Sequence, residues 1–314
     1  MSAVKSRRVS EPDKSEPQSA PETVESSYFE KSFTEVFDFI QFKLPPGPRF
    51  IKLRYIVNLQ KGSVGLVMLF LMLKYNNFSL GAWTYLILHG SYGLFWITKD
   101  LTYPDKSFEA KQTITCGCIL VALLALYLVP GYLVISSQIE QEVTVQRSIY
   151  CTLTYITGLI LMIGSDVQKN STLKKRKGLI SDGYFKITRN PNYLGETFIY
   201  ASFVALTGNS YMKIDDLLGI QSFSVFNHIR TYSVAILVFL IVFMPRMMIK
   251  DFSLSKKKGW DEYSQRSYLI LPKFSSSDLF NVGIYAGKIV LFQFLCIKFN
   301  MIELSIIAIL VNLT

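Results

Sequence analysis

An all-α, multi-pass transmembrane helical bundle of about six to eight spans is the fold class this sequence predicts. Three observations lead there. Half of the 314 residues are hydrophobic and only 18% are charged, with a mean hydropathy of +0.30. Several apolar runs approach or exceed the ~20 residues that cross a bilayer. The net charge of +10 is concentrated in segments that flank those runs. That pattern sets membrane topology and argues against nucleic-acid binding.

Seven apolar segments follow one another at roughly 62–76, 79–98, 112–136, 148–165, 196–212, 228–249 and 280–313, the short first one also admitting an earlier start near Tyr55. The last is interrupted near Lys298-Phe299-Asn300 and reads as one or two passes. Residues 1–28 are rich in Ser, Glu, Pro and Lys and read as a disordered tail. Their acidic residues argue against a transit peptide, and no secretory signal is expected. The resulting division is a tail and juxtamembrane stretch over 1–50, a core domain over 51–274 and an additional C-terminal membrane segment over 275–314.

Loop charges order these segments. The connection 166–191 holds Lys169, Lys174, Lys175, Arg176, Lys177, Lys186 and Arg189 against Asp166 and Asp182. The stretch after the sixth run holds Arg246, Lys250, Lys256, Lys257, Lys258, Arg266 and Lys273. Two spans separate these segments, so they share a side, with Lys99, Lys106 and Lys111 of the loop 99–111. The loop 137–147, with Glu140 and Glu142, falls opposite. The positive-inside rule then places the N-terminus and the basic loops in the cytosol.

Metal binding and cysteine-based redox chemistry have little support in the composition. Cys116, Cys118, Cys151 and Cys296 all lie in apolar segments, and Cys116-Gly117-Cys118 lacks C-x-x-C spacing, so they read as small packing residues. Two histidines, His89 and His228, exclude a His-rich centre, and no metal is expected. No G-x-G-x-x-G, G-x-S-x-G or H-E-x-x-H motif occurs.

Three places carry side chains suited to other chemistry. The first is Thr188-Arg189-Asn190-Pro191-Asn192-Tyr193-Leu194-Gly195-Glu196. Pro191 cannot continue a preceding helix and biases Asn190 toward extended geometry. A helix beginning there carries Asn192, Tyr193 and Glu196 in its first turns. Its unpaired N–H groups and positive dipole end, with Arg189 beside them, suit phosphates or a carboxylate at a membrane surface. Glu196 falls where an apolar span begins, and an ionisable group is costly there unless it is used. Lys169 closes the preceding span. The run Lys174-Lys175-Arg176-Lys177 reads on its own as a solvated, topology-setting loop.

The second place follows the sixth run, where Asp251, Trp260 and Tyr263 suit a site and the neighbouring lysines equally suit an amphipathic juxtamembrane helix. The third is inside a span. His89, Tyr92, Trp96 and Lys99 share one helical face, with Gly90 and Gly93 allowing close packing beside them. That face is either a substrate-facing stripe able to supply a proton or an interfacial aromatic belt.

The run Gly178-Leu-Ile-Ser-Asp-Gly-Tyr-Phe-Lys-Ile-Thr-Arg-Asn-Pro-Asn-Tyr-Leu-Gly-Glu196 resembles the signature of the steroid 5-alpha-reductase-like superfamily. Lys250-Asp-Phe-Ser-Leu-Ser255, Gly259-Trp-Asp-Glu-Tyr263 and Leu271-Pro272 resemble the closing motif of its uncharacterised multi-pass branch. Sterol reductases, isoprenylcysteine carboxyl methyltransferases and phospholipid N-methyltransferases show related patterns, over roughly residues 80–273. The position of the sterol reductase Asp is Glu196 here, and Lys250-Asp251-Phe252 lacks one acidic residue of the related run.

The resemblance implies a helical membrane bundle with a cytosol-facing nucleotide pocket. Carried over, Arg189, Asn192, Tyr193 and Glu196 would hold the cofactor, and Asp251, Trp260 and Tyr263 would close over it; Lys169 and Asn190, read from the loop itself, are expected to bind the cofactor beside them. The expected activity is an NADPH-dependent reduction of a lipophilic enone or alkene, sterol-like or long-chain, in the endoplasmic reticulum membrane. His89 and Tyr92 are the expected proton donors. The alternatives are an S-adenosylmethionine-dependent methyltransferase of prenyl or phospholipid substrates and a non-catalytic membrane subunit.

Overall fold

The computed structural model describes residues 27–139, 141–208, 211–213, 228–284, 286 and 287. The expected tail over 1–26, Cys296 and most of the final apolar run lie outside these residues. The bundle is all-α. Its long helices are α2 (Leu53–Tyr75), α3 (Leu80–Thr102), α4 (Ile114–Ile135), α5 (Val145–Lys175), α6 (Pro191–Ala205) and α7 (Thr231–Leu254). Shorter α1 (Tyr28–Asp38) precedes them and α8 (Trp260–Gln265) follows. Among the described residues, strand pairing is confined to two short antiparallel ribbons, Ile51–Lys52 with Lys111–Gln112 and Tyr211–Lys213 with His228–Arg230.

Helix starts follow local chemistry. Ser27, Ser79, Thr113 and Thr144 each accept a backbone N–H from the first turn of the helix they precede, satisfying groups that otherwise have no partner. Pro191 occupies the first position of α6, where its missing N–H costs nothing. Asn76 ends α2 in the left-handed conformation.

Four helices, α2, α4, α5 and α7, are long and apolar enough to cross a membrane. The α3 helix has the same length as α2, 23 residues, and it turns Tyr85, His89, Tyr92 and Trp96 inward, where they are buried. The fifth apolar run is shorter in the structure than expected. The 15 residues of α6 span roughly 22 Å at 1.5 Å each, less than the ~30 Å hydrocarbon core.

Two other boundaries move outward. The α2 helix begins at Leu53, close to the earlier start near Tyr55, because its polar residues are used inside the bundle. Arg54 and Asn58 both bond Asp100 of α3, at 3.2 and 2.7 Å. The α5 helix continues ten residues past its run to Lys175.

Close helix crossings rest on glycine. A Cβ on Gly195 of α6 would sit 2.5 Å from the Gly158 carbonyl oxygen and from the Met162 nitrogen of α5. A Cβ on Gly93 of α3 would strike the Lys61 carbonyl of α2. Such small-residue contacts let backbones approach inside a membrane. Around them lies one core of Met68, Met72, Tyr85, Leu88, Tyr92, Met162, Ile199 and Phe203.

The basic segments meet at one end. Lys169 of α5 pairs with Asp105 of the α3–α4 loop at 3.2 Å, and Arg189 pairs with Asp251 of α7 at 2.9 Å. Residues 28–43, within the expected tail, are helical there, and Phe29 and Phe33 pack edge-on against Phe252. The opposite end holds Asn77, whose amide bonds the carbonyls of Val134 and Ile135.

Two measurements test this arrangement. Single cysteines at Ser171 and Gln265 should react with an impermeant thiol reagent from the same side of sealed vesicles, and one at Glu142 only from the other; labelling of Ser171 and Gln265 positions from opposite sides contradicts the clustering. Gly195→Leu should lower stability by more than the ~1–3 kcal/mol usual for an overpacked core, read as an early thermal transition in detergent.

Candidate functional site

A cavity of about 490 Å³ opens at the basic end among α1 to α7. Helical periodicity puts its walls in register. From α2 come Leu53, Val57 and Lys61, each four residues apart. From α6 come Asn192, Tyr193, Glu196 and Tyr200, and from α7 come Phe243, Arg246 and Lys250. Thr34, Asp38 and Gln41 of the N-terminal helical segment cover one side.

The charges in this cavity are uneven. Lys99 is in direct contact with Asp166, and Lys169 with Asp105. Arg246 and Lys250 have no carboxylate within 4 Å among the described residues; Lys250 Nζ donates only to the Arg189 carbonyl, at 3.4 Å. Glu196 makes no hydrogen bond or ion pair among the described residues, although it lines the same cavity. Burial disfavours ionisation of Asp105, but the Lys169 ammonium and bonds from Ser107 outweigh it and hold the carboxyl at about 2.

Roughly 12 Å along α2 from Leu53, at 1.5 Å per residue, lies Lys61. It is only 6% exposed. Its Nζ donates to Tyr92 Oη at 2.8 Å and to Tyr200 Oη at 2.7 Å, and sits 4.4 Å from the centre of the Trp96 ring. The two phenols are 3.3 Å apart. Tyr200 also packs at a tilt against Tyr127, with ring centres 4.4 Å apart, and these two rings, with Phe243, separate the cavity from an apolar groove between α4, α6 and α7. An ammonium beside a phenol can balance the negative charge left when the phenol gives up its proton.

The structure divides the sequence-derived site into two groups. Lys169, Asn192, Tyr193 and Glu196 line the cavity. Arg189, Asn190, Asp251, Trp260 and Tyr263 do not, and form a clamp beside it. Arg189 Nε donates to Asp251 Oδ2 at 2.9 Å, its Nη1 contacts the Ser267 carbonyl, and its guanidinium lies 5.5 Å from the Trp260 ring centre. Asn190 Nδ2 donates to the Leu269 carbonyl at 2.8 Å, and Tyr263 Oη to the Phe185 carbonyl at 2.9 Å. Burial pushes the Tyr263 hydroxyl up from its ordinary value. The clamp ties the turn before α6 to the segment after α8.

His89 and Tyr92 are buried on one face of α3 with Trp96 and Lys99, but neither is part of the cavity wall. The Tyr85 hydroxyl and His89 Nδ1 lie 2.8 Å apart, and the His89 ring stacks on Phe203 at 4.3 Å. Tyr92 is reached from the cavity only through Lys61 and Tyr200. Among the described residues no cluster of three metal-ligating side chains occurs.

Lys61 and Tyr200 escape a reading by apolar runs. Lys61 lies just outside the run that begins near residue 62, and Tyr200 is one aromatic among many. A signal was present: Lys61 falls on the stripe Leu53, Val57, Lys61, Val64, Met68, Met72, all buried, and a lysine on a buried stripe demands partners.

A polar cavity built into an all-helical set of membrane-crossing helices defines an integral membrane protein with an internal site. The chain belongs to the family described as "Protein of unknown function (DUF1295)", whose model matches residues 106–266, just over half of its length. That family consists of uncharacterised membrane proteins within the steroid 5-alpha-reductase-like group. No curated protein and no solved structure matches the chain.

Two stability effects follow. Arg189→Ala leaves the Asp251 carboxylate without its cation and should cost about 3 kcal/mol, at the low end for a broken buried pair, read by chemical or thermal unfolding. The depressed Asp105 carboxyl stabilises the fold fully above its ordinary value of 3.8 and loses that contribution as pH falls through about 2. Partial exposure limits this to about 1 kcal/mol, and Asp105→Asn should remove the acid dependence it contributes.

Proposed function

We propose that this protein is a membrane-embedded NADPH-dependent reductase of a lipophilic enone or alkene. The observation that carries the reading is the junction at Tyr200. A cavity lined by both cations and carboxylates, with Arg246 and Lys250 the cations lacking a carboxylate within 4 Å among the described residues, meets an apolar groove at a phenol that a buried ammonium holds in place.

The residues present fit a phosphorylated nucleotide. Arg246 and Lys250, without carboxylate partners among the described residues, line the cavity toward the basic end and would hold its phosphates, with Lys169, already paired with Asp105, at their edge. Asn192 and the unbonded Glu196 carboxylate would take hydroxyl or amide groups. Arg189 is committed to Asp251 and supports the wall from outside. The cavity volume is within the ~300–1,000 Å³ of ordinary ligand sites. When bound, the nicotinamide supplies hydride.

The chain's own contribution is the proton and the surroundings. Tyr200 lines both compartments and donates a proton to the reduced substrate. Lys61 positions that phenol and balances the charge it leaves, while Tyr92 fixes Lys61 from behind. Trp96, Tyr127 and Phe243 exclude water around the reacting atoms.

Cofactor addition to protein in detergent tests the reading. NADPH should raise the melting temperature, because a ligand of the folded state stabilises it by mass action. Lys250→Ala and Arg246→Ala should each weaken NADPH binding by roughly 1.5–3 kcal/mol. Tyr200→Phe should retain NADPH binding and lose ~10²–10⁴-fold in turnover. Stabilisation by S-adenosylmethionine and none by NADPH would favour a methyltransferase instead, with Glu196 toward the cofactor's amine or hydroxyls.

A further inference from the structure

The α1 helix is built inside out. A surface helix of a globular protein turns its apolar stripe to the core and its polar stripe to solvent. In α1 the helical period gathers Glu30, Thr34 and Asp38 on one side, and Thr34 and Asp38 line the polar cavity with Gln41 after them. The apolar residues lie outward. Tyr28 is 87% exposed and Val36 58%, and Phe29, Phe39 and Ile40 are exposed with them. An apolar surface of this kind marks contact with a protein or a membrane.

Position selects the membrane. Thr34 and Asp38 of the N-terminal helix wall the same cavity as Leu53 and Val57 of α2, so α1 lies level with the first turns of α2. The outward row of that membrane-crossing helix starts there, with Tyr55, Leu59, Leu66, Phe70 and Leu73 all exposed. Where a span begins, an amphipathic helix can bury its apolar face ~5–10 Å into the headgroup boundary. Charge adds no attraction to anionic lipid, because Lys31 and Lys43 stand against Glu30, Glu35 and Asp38, and Lys43 is paired with Asp38.

The segment is pinned at one end. Thr113 N–H donates to the Phe42 carbonyl at 3.1 Å, Thr113 Oγ1 to the Leu44 carbonyl at 2.6 Å, and Leu44 N–H to Cys116 Sγ at 3.3 Å. Among the described residues, Tyr28–Asp38 makes no hydrogen bond or ion pair to any element outside residues 27–43. It rests on Phe252 through the rings of Phe29 and Phe33.

We propose that α1 is a membrane-seated lid. Its apolar face lies in the headgroup boundary, its polar face roofs the cavity, and it swings about Phe39–Lys43 to admit the cavity's ligand. Bilayer contact holds the closed position. The inference concerns access to the cavity and is independent of the reductase reading.

The test uses the full-length chain in lipid nanodiscs, with Cys118→Ser and Cys296→Ser. A spin label on Val36→Cys should be relaxed more by oxygen than by a water-soluble nickel chelate, and one on Lys31→Cys should show the reverse, equally in neutral and anionic lipid. Nickel-dominated relaxation at position 36 overturns the seating. A label there shielded from both reagents places protein against α1, a second copy or another segment of this chain, and overturns the bilayer as its partner.

The roof is tested by Val57→Cys, buried in the cavity wall, which should react slowly with a water-soluble maleimide. Val36→Glu and Ile40→Glu, at exposed positions, should each speed that reaction roughly fivefold or more while leaving the thermal transition in place. A rate that neither variant changes removes the lid, and so does acceleration seen only with a lowered transition, which reports unfolding of the bundle. If both results hold in a protein that NADPH does not stabilise, the lid stands and the reductase reading falls.

Discussion

The ammonium of Lys61, buried among three helices, is the interaction on which the site depends. A lysine near the centre of a span costs roughly 2.5–3.5 kcal/mol on insertion scales. Here the cost is offset by two phenol oxygens within 2.8 Å and by the Trp96 face. Those partners come from α3 and α6, so satisfying one charge fixes the relation of three helices. It also fixes Tyr200 at the boundary of two unlike compartments.

Glycine makes that geometry reachable. Because Gly93 has no side chain, α3 approaches the Lys61 carbonyl itself, bringing Tyr92 and Trp96 over the ammonium. Because Gly195 and Gly158 have none, α6 lies against α5 and carries Glu196 and Tyr200 into the cavity. The clamp of Arg189, Asp251 and Trp260 holds the other end of α6, which is too short to be anchored by spanning the bilayer alone.

Much of the bundle was legible because apolar runs and basic loops follow from the solvent on each side of each helix. The gathering of basic segments at one end was read from charge alone, and the contacts Lys169–Asp105 and Arg189–Asp251 join the segments expected to meet. The helix beginning at Pro191 was legible from the rigid ring. Boundaries were less so. Polar residues at the start of α2 face inward, where hydropathy cannot see that they are satisfied. The site was half legible. Asn192, Tyr193 and Glu196 line the cavity, as the turn before them implied. Arg189 has the same sequence signature as a ligand-binding arginine, yet Asp251, 62 residues away, takes its guanidinium. Only tertiary structure discloses such a partner, and only it discloses Lys61 meeting Tyr200.

The most direct measurement is a density map of the protein with saturating NADPH. The expected result is a nucleotide in the polar cavity, its phosphates beside Lys169, Arg246 and Lys250 and its nicotinamide at Tyr200. Nucleotide density bound instead on the exposed run Lys174, Lys175, Arg176 and Lys177, with the cavity filled by lipid or detergent, would contradict it.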